Sequence, residues 1–289
     1  MRLTLPATAI FLLGPRLSPA ALPSQPAERA FESYVANLEG RLARQHASQD
    51  HNTAVLSRFG PLRTDAKRQF LAGDVLVEQG NVERVNIGSW PVDDGLLHHS
   101  RAAAFVPSAS PQDMLALLRD YNHLALYYSP EVVSSHVLAN DGAVATVAMR
   151  LKKQQVITVV LDGEFQVDSG LAGGTRGYST SRSTHIWQID RPGTASERRL
   201  ADGEGDGFLW RLNSYWSFEK WRDGLVIECE AVSLTRAVPH GLGWLIAPII
   251  GTLPRDSLQF TLTATKRALA ARAKRKEAAE RKDSNGHTN

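Results

Sequence analysis

Cysteine is almost absent from the sequence: the 289 residues include one, Cys229. A single cysteine excludes an intrachain disulfide and any metal site built from several cysteines. The segment around Cys229 reads VIECEAV, in which apolar and acidic residues alternate as on a strand with one buried face. We therefore interpret Cys229 as a small buried side chain rather than as a nucleophile.

Motifs for metal binding and catalysis are also missing. No two histidines stand four residues apart, and His98 and His99 are adjacent, so on a strand they point to opposite faces. The glycines of residues 170–177 are not followed by the helical pattern that a phosphate-binding loop requires, and no Gly-x-Ser-x-Gly motif occurs. The sequence thus predicts no catalytic residue, no metal site and no cofactor.

The chain has little net charge, +3 at pH 7, and much of the excess lies near its C-terminus. Residues 266–282 contain eight basic and two acidic side chains. Without this segment the chain is near neutral, which argues against a nucleic-acid-binding surface and predicts no nucleic-acid partner. We predict a basic disordered tail over 276–289. A weak contact between this tail and an anionic membrane surface is the alternative to a purely solvated segment.

Long apolar runs are absent too, since the run near the N-terminus, residues 3–14, is too short to cross a bilayer. Arg2 precedes this run, and the Ser-Pro-Ala sequence at 18–20 offers a cleavage site behind it. This layout is typical of a secretory signal peptide. Residues 1–26 are therefore predicted to be a signal peptide or a disordered leader, with export to the periplasm or the extracellular space. The alternative is a cytoplasmic protein with a Pro/Ala-rich leader.

The rest of the chain divides into an N-terminal extension, residues 27–94, and a main domain, residues 95–275. In the extension, apolar residues recur at helical spacing over 27–46. We expect the apolar face of this helix to pack on the main domain.

The main domain begins with a predicted strand over 96–106, and Ser110 then provides the N-cap of a helix. A second short helix follows, and after it come six strands joined mostly by tight turns. This order predicts an antiparallel meander. An apolar helical segment over 241–252, broken at Pro248, precedes a longer helix over 254–275.

Residues 207–236 predict two long strands joined by a turn at the Asp-Gly pair 223–224. This turn places Arg222 opposite Leu225, and each strand then has one apolar face. The apolar face contains Phe208, Trp210, Leu212, Trp216, Phe218, Leu225, Ile227, Cys229 and Ala231. Charged residues at strand positions are interpreted as cross-strand partners on a solvated face, and they are Arg150, Arg182, Arg211, Glu228 and Glu230. The alternative for Arg182 is that it faces inward and binds a carboxylate or oxyanion of a ligand.

The order of these elements (a strand, a pair of helices, six antiparallel strands and a C-terminal helix) resembles that of the START-like helix-grip superfamily, also called SRPBCC. The segment PQDMLALLRDYNHLALYYSPEVV adds to the resemblance through Asp120, Tyr121 and Pro130. Birch-pollen-type allergens, lipid-transfer START domains and aromatase/cyclase domains belong to this superfamily. The resemblance covers about residues 95–272. It implies an α+β helix-grip fold, in which a curved antiparallel sheet of about seven strands wraps around a long C-terminal helix.

In this superfamily a cavity between the sheet and the C-terminal helix holds an apolar ligand, which implies an apolar small molecule as the partner of this chain. The extension 27–94 departs from the minimal family pattern, and one place for it is the mouth of that cavity. The resemblance and the strand alternation together predict these ligand-binding residues: Val147, Met149, Leu151, Arg182, Trp210, Leu212, Trp216, Phe218, Ile227 and Cys229.

Three functions remain open. The first is binding or transport of a hydrophobic small molecule, lipid-like or isoprenoid-like, without catalysis. The second is a polyketide cyclase or dehydratase activity in the same cavity, which requires polar groups such as Arg182, Tyr178 or His98 to point inward. The third is a structural or interaction module with a filled core. The sequence leaves the identity of the ligand and the oligomeric state open.

Overall fold

The computed structural model describes residues 22–47, 64–78, 80–82, 85–142, 144–154, 158–237 and 243–286. Of the predicted signal peptide or leader, residues 1–26, residues 1–21 lie outside the described residues, and α1 begins at Gln25. The helices are α1 (Gln25–Ala47), α2 (Thr64–Leu71), α3 (Pro111–Leu118), α4 (Leu124–Tyr128) and α5 (Gly243–Gly286), with a 3-10 turn at Tyr121–His123. The strands are β1 (Leu76–Val77), β2 (Gly80–Val82), β3 (Val85–Val92), β4 (Gly95–Pro107), β5 (Val132–Asn140), β6 (Val144–Gln154), β7 (Thr158–Ala172), β8 (Arg176–Asp190), β9 (Arg198–Arg199), β10 (Arg211–Trp221) and β11 (Gly224–Arg236).

The eleven strands form one antiparallel sheet in the order β2-β3-β4-β11-β10-β8-β7-β6-β5, with β1 added to β4 and β9 added to β8. The long strands are the seven of the predicted main domain, and α5 follows them in the chain. The predicted α+β helix-grip class is therefore confirmed. The short strands β1, β2 and β3 come from the N-terminal extension and continue the sheet beyond β4.

The face of the sheet that α5 covers is called the inner face here. Trp216 and Phe218 of β10 lie on it, beside Ile227 and Cys229 of β11. These side chains pack against apolar residues of α5, namely Leu258, Leu262 and Leu269. Burying each large apolar side chain stabilises the fold by about 1.5–3 kcal/mol. The packing therefore holds α5 against β4 and β11, as the apolar face of the two late strands predicted.

The helix α5 is longer than the sequence pattern indicated. It is continuous from Gly243 to Gly286, where the sequence predicted a break near Pro248 and a disordered tail from residue 276. Residues 266–282 consist largely of alanine, lysine, arginine and glutamate, which are the strongest helix formers. Their helix propensity accounts for the extension of α5 into the basic segment.

The opposite face of the sheet, called the outer face here, is covered by the N-terminal extension. The side chains of Phe31, Leu38 and Leu42 in α1 pack against Tyr215, Val232 and Leu234. In α2, Phe70 packs beside Phe105 and Val226. The helices α1 and α2 thus pack on the main domain as expected, and they lie behind the sheet. Val75 and Val77, beside and in β1, instead pack against the inner-face cluster that contacts α5.

The β10–β11 hairpin has the predicted faces but a different register. Trp221 lies opposite Gly224 and Lys220 lies opposite Leu225, two positions away from the predicted pairing. The turn is made by Arg222, whose φ is 53°, and by the residue after it. Gly224 is instead a strand residue at a close approach, because a Cβ there would stand 2.4 Å from the carbonyl oxygen of Val106. A shift of two residues keeps every side chain on its face.

Among the described residues, no helix combines the length and the apolar character that a membrane span needs.

Candidate functional site

Most of the predicted ligand-binding residues lie together on the inner face, in two neighbouring clusters. The cluster that contacts α5 contains Trp216, Phe218, Ile227 and Cys229. The second cluster contains Val147, Met149, Leu151 and Leu212, together with Tyr121 and Phe165. The strand alternation therefore brings these eight side chains to one side of the sheet.

Arg182 lies on the outer face and not with the other predicted residues. It stands directly opposite Asn213 on β10, and residues paired in this way point to the same side of a sheet. Its Nε donates a hydrogen bond to Oε1 of Glu39 in α1 at 2.6 Å, and this bond raises the pKa of Arg182. The prediction that Arg182 binds the ligand beside Trp216 is corrected by this placement.

Trp210 also departs from the predicted arrangement. It precedes the first residue of β10, so the alternation of that strand does not extend to it. Its ring packs in the outer-face cluster with α1, close to Gly95. It also lines a depression of about 260 Å³ at the end of the sheet, which Leu22 and Trp187 line as well.

Part of the inner face is only partly covered by the residues that the structure describes. We call this part the inner groove. All of its strand residues are partly exposed although they share a face with buried core residues, and they are Met149, Leu151, Ser181, Ser183, Leu212, Ser214 and Ala231. Met149 also packs against the cluster of Leu124, Tyr128 and Ala264, against which Phe260 of α5 packs as well, and this cluster forms the opposite wall.

The polar side chains of α4 and α5 beside the groove form a hydrogen bond with each other. Oη of Tyr128 and Oγ1 of Thr265 are hydrogen-bonded at 3.0 Å, and both residues are buried. Burial raises the pKa of Tyr128 to about 12, so its hydroxyl is neutral at physiological pH. This pair joins α4 to α5 without placing a charge beside the groove.

The polar groups that a cyclase in this cavity requires are not arranged for it. Tyr178 lies opposite Ser217, on the outer face, and its ring stacks on His46 of α1 with centroids 5.2 Å apart. His98 does lie on the inner face, but its Nδ1 is 2.6 Å from Oγ of Ser89 and its Nε2 is 2.9 Å from Oγ1 of Thr235. Burial lowers the pKa of His98 to about 4, so the ring is neutral at pH 7.

The outer face contains a buried polar network that the sequence analysis missed. Glu230 is 1% exposed and accepts hydrogen bonds from Nη2 of Arg41 at 2.7 and 2.6 Å. It also pairs with Nε2 of His99 at 3.0 Å, and Nδ1 of His99 is 2.7 Å from the hydroxyl of Tyr34. Arg101, 1% exposed, pairs with Glu78. The network thus joins α1 and the segment after β1 to the centre of the sheet.

Burial alone would raise the pKa of Glu230, but the hydrogen bond from His99 and the charge of Arg41 outweigh it and hold the pKa well below its usual range. The predicted solvated face for Glu228 and Glu230 is wrong, because α1 lies over it. The alternation of Glu228 and Glu230 with apolar residues on β11 was visible in the sequence. The position of α1 above them was not, since helical spacing shows that a helix has an apolar face and not which surface it covers.

Neither a protein-family model nor a curated protein matches the sequence. Among solved structures, the chain is similar to the STAR-related lipid transfer protein from Xanthomonas axonopodis, with 17% identity and a TM-score of 0.39 over 65% of this chain and 99% of that one. The Zhui aromatase/cyclase from Streptomyces sp. R1128 shows 11% identity and a TM-score of 0.41 over 62% of this chain and 94% of its own. Human STARD10 shows 7% identity and a TM-score of 0.39 over 75% of this chain and 80% of its own.

Identities this low compare folds and not functions. The order of the long strands and the C-terminal helix that covers the inner face are features of the chain itself. On these features, the chain has an α+β helix-grip fold, as expected from the sequence.

Proposed function

We propose that the protein binds an apolar small molecule in the inner groove and acts as a carrier without catalysis. The observation that supports this function is the partial exposure of Met149, Leu151 and Leu212, which face the same side as the buried core. Apolar surface that points inward and is left uncovered by the chain is what a hydrophobic ligand covers on binding.

The composition of the groove also favours binding over catalysis. Its strand residues are aliphatic or carry hydroxyl groups, and none of them titrates near pH 7. Arg182 and Tyr178 point away from it, and the ring of His98 is held by two hydroxyl groups. A general acid or base has to reach the reacting atoms of the substrate, and these side chains do not provide one here.

Binding is tested with N-phenyl-1-naphthylamine, a neutral fluorophore whose emission rises in apolar surroundings. The expected result is saturable binding to the intact protein. Leu212→Trp, which places a larger side chain in the groove, is expected to weaken binding about tenfold, equivalent to ~1.4 kcal/mol. Leu138→Trp is the matched control, because Leu138 is 49% exposed on the edge strand β5.

Two results would contradict the proposal. One is a linear, non-saturable rise in fluorescence with a folded protein, which is the behaviour of a module with a filled core. The other is an equal loss of affinity in both tryptophan variants, which would place the fluorophore outside the inner groove. Mass spectrometry of an organic extract of the purified protein tests the same proposal independently, through a co-purified apolar molecule.

A further inference from the structure

The inner groove contains a small polar patch within its apolar lining. Ser181 of β8 stands directly opposite Ser214 of β10, and Ser183 lies two residues further along β8. These three serines are called the hydroxyl patch. Each is partly exposed, whereas their neighbours Trp216 and Phe165 on the same face are buried. The patch is therefore accessible to a molecule that lies in the groove.

The hydroxyl groups of the patch have capacity for further hydrogen bonds. Oγ of Ser183 accepts one from the backbone N–H of Leu212 at 2.9 Å, which leaves its own O–H available to donate. In the part of the chain that the structure describes, no hydrogen bond joins the hydroxyl of Ser181 or Ser214 to another residue. Each of these hydroxyls can donate once and accept twice, so the Ser181–Ser214 pair can bind an oxygen atom in either role.

The surroundings of the patch are electrically neutral. The described strand residues next to it on the inner face are uncharged, and they are Val147, Phe165, Val167, Ser179, Leu212, Trp216 and Ala231. The buried residues of α5 are also uncharged, and they include Leu258, Leu262 and Thr265. The partly buried Lys266 lies beside Gly73 in the segment before β1.

Charged side chains stand at the rim of the inner face rather than at the patch. Arg119 is exposed at the end of α3, and its Nε donates to Oγ of Ser169 at 2.9 Å. The other charged groups at this rim form ion pairs, Asp113 with Lys276 and Asp120 with Arg272. A charged group on a ligand at the hydroxyl patch would therefore lose water without gaining an opposite charge. A hydroxyl or carbonyl group would exchange its water for hydrogen bonds to serine.

We infer that the inner groove selects neutral apolar molecules that carry a hydroxyl or carbonyl oxygen, which binds at Ser181 and Ser214. This inference rests on the proposed function, because it concerns the ligand of the same groove. It goes beyond that function by naming the chemical class: long-chain alcohols, ketones and similar oxygenated lipids bind, and carboxylates, phosphates and ammonium ions of equal length do not.

The class is tested by displacement of N-phenyl-1-naphthylamine with three ten-carbon compounds at pH 8: decane, decan-1-ol and sodium decanoate. Decan-1-ol is expected to displace the fluorophore at a concentration about tenfold lower than decane and at least tenfold lower than decanoate. Equal or tighter binding of decanoate overturns the inference while leaving the proposed function intact. If the fluorophore itself does not bind saturably, the proposed function fails, so the two failures are distinguishable.

Serine variants test whether the preference for decan-1-ol over decane depends on the hydroxyl patch. The double substitution Ser181→Ala and Ser214→Ala is expected to reduce the affinity for decan-1-ol to that of decane, with decane binding unchanged as evidence that the groove is intact. Ser134→Ala, at an exposed position on β5, is the control and leaves all affinities unchanged. Retention of the alcohol preference in the double variant overturns the assignment. The variant Arg119→Gln tests whether an anionic ligand binds at the rim instead of at the patch. Strong decanoate binding by the native protein that is lost in this variant would also overturn the inference.

Discussion

Glu230 is a buried carboxylate whose partners come from two different parts of the chain. His99 lies on the neighbouring strand β4, while Arg41 comes from α1 and is 25% exposed at its side chain. A buried charge that loses its partner is strongly destabilising, because the carboxylate has already been removed from water. The ion pair of Arg41 with Glu230 is therefore the contact through which a single substitution in α1 affects the stability of the sheet.

Arg41→Ala is expected to lower the free energy of unfolding by about 2 kcal/mol. This value is below the range for fully buried pairs, because the partial exposure of Arg41 lets water screen part of the charge. Urea unfolding followed by circular dichroism measures the change. Arg29→Ala, at an exposed position on the same helix, is the control and is expected to change stability by less than ~0.5 kcal/mol. Equal effects of the two substitutions would show that the loss does not come from the ion pair, since alanine itself favours the helix at both positions.

The same carboxylate predicts how stability depends on pH. The pKa of Glu230 in the folded protein is held below its usual value of 4.5 by His99 and Arg41, against the effect of burial. The stability contributed by this group is therefore fully present above the unfolded pKa, and it is lost as the pH falls below about 4.5, where the unfolded chain takes up a proton that the folded chain does not.

Unfolding free energies measured between pH 7 and pH 3 test this expectation. The native protein is expected to lose stability more steeply below pH 4.5 than Glu230→Gln, which cannot titrate at that position. Parallel pH profiles for the two proteins would show that other carboxylates account for the acid sensitivity.

At the scale of the elements, the sequence predicted the two faces of the β10–β11 hairpin correctly but not the register of its strands. Alternation placed Trp216, Phe218, Ile227 and Cys229 on one face, and the structure agrees. The register was wrong by two residues because the Asp-Gly pair was interpreted as the turn itself. Glycine is needed at position 224 for a different reason, because its backbone lies close to Val106 on β4. Since β4 is distant in the sequence, the local pattern around the turn does not indicate this contact.

The same limit explains the errors at the candidate site. The inner-face residues followed from local periodicity, which is a property of each strand. The placement of Arg182 depends on Glu39, and the burial of Glu230 depends on Arg41, and both partners belong to α1. A local pattern cannot indicate which face of a sheet a remote helix covers.

Two glycine substitutions with opposite expected signs test this account of the elements. Gly224→Ala is expected to lower the free energy of unfolding by about 2 kcal/mol, because its Cβ would stand 2.4 Å from a backbone oxygen and the strands would have to move apart. Gly40→Ala is expected to raise it by about 0.5–1 kcal/mol, because this residue lies inside α1 and its added Cβ meets nothing closer than 3.6 Å. Urea unfolding measures both, and a neutral Gly224→Ala would contradict the close approach.

At the scale of the whole molecule, the sheet is covered differently on its two faces. The outer face is closed by α1 and α2 through apolar packing and buried ion pairs. The inner face is closed by α5 over β4 and β11, and it stays partly open at the groove. The helices α1 and α2 of the N-terminal extension therefore belong to the core of the protein, on the side of the sheet away from the groove.

Deletion of residues 1–47 tests this division of roles. Loss of α1 exposes the apolar residues Tyr215, Val232 and Leu234 and leaves Glu230 without Arg41. The combined loss is several kcal/mol, so the melting temperature is expected to fall by roughly 10 °C or more, as measured by scanning calorimetry. Deletion of residues 279–289 at the other end is the control and is expected to leave the melting temperature unchanged. Below its own transition, the protein without α1 is expected to bind N-phenyl-1-naphthylamine as the full chain does. Unchanged stability with loss of binding would place the extension at the groove instead of behind the sheet.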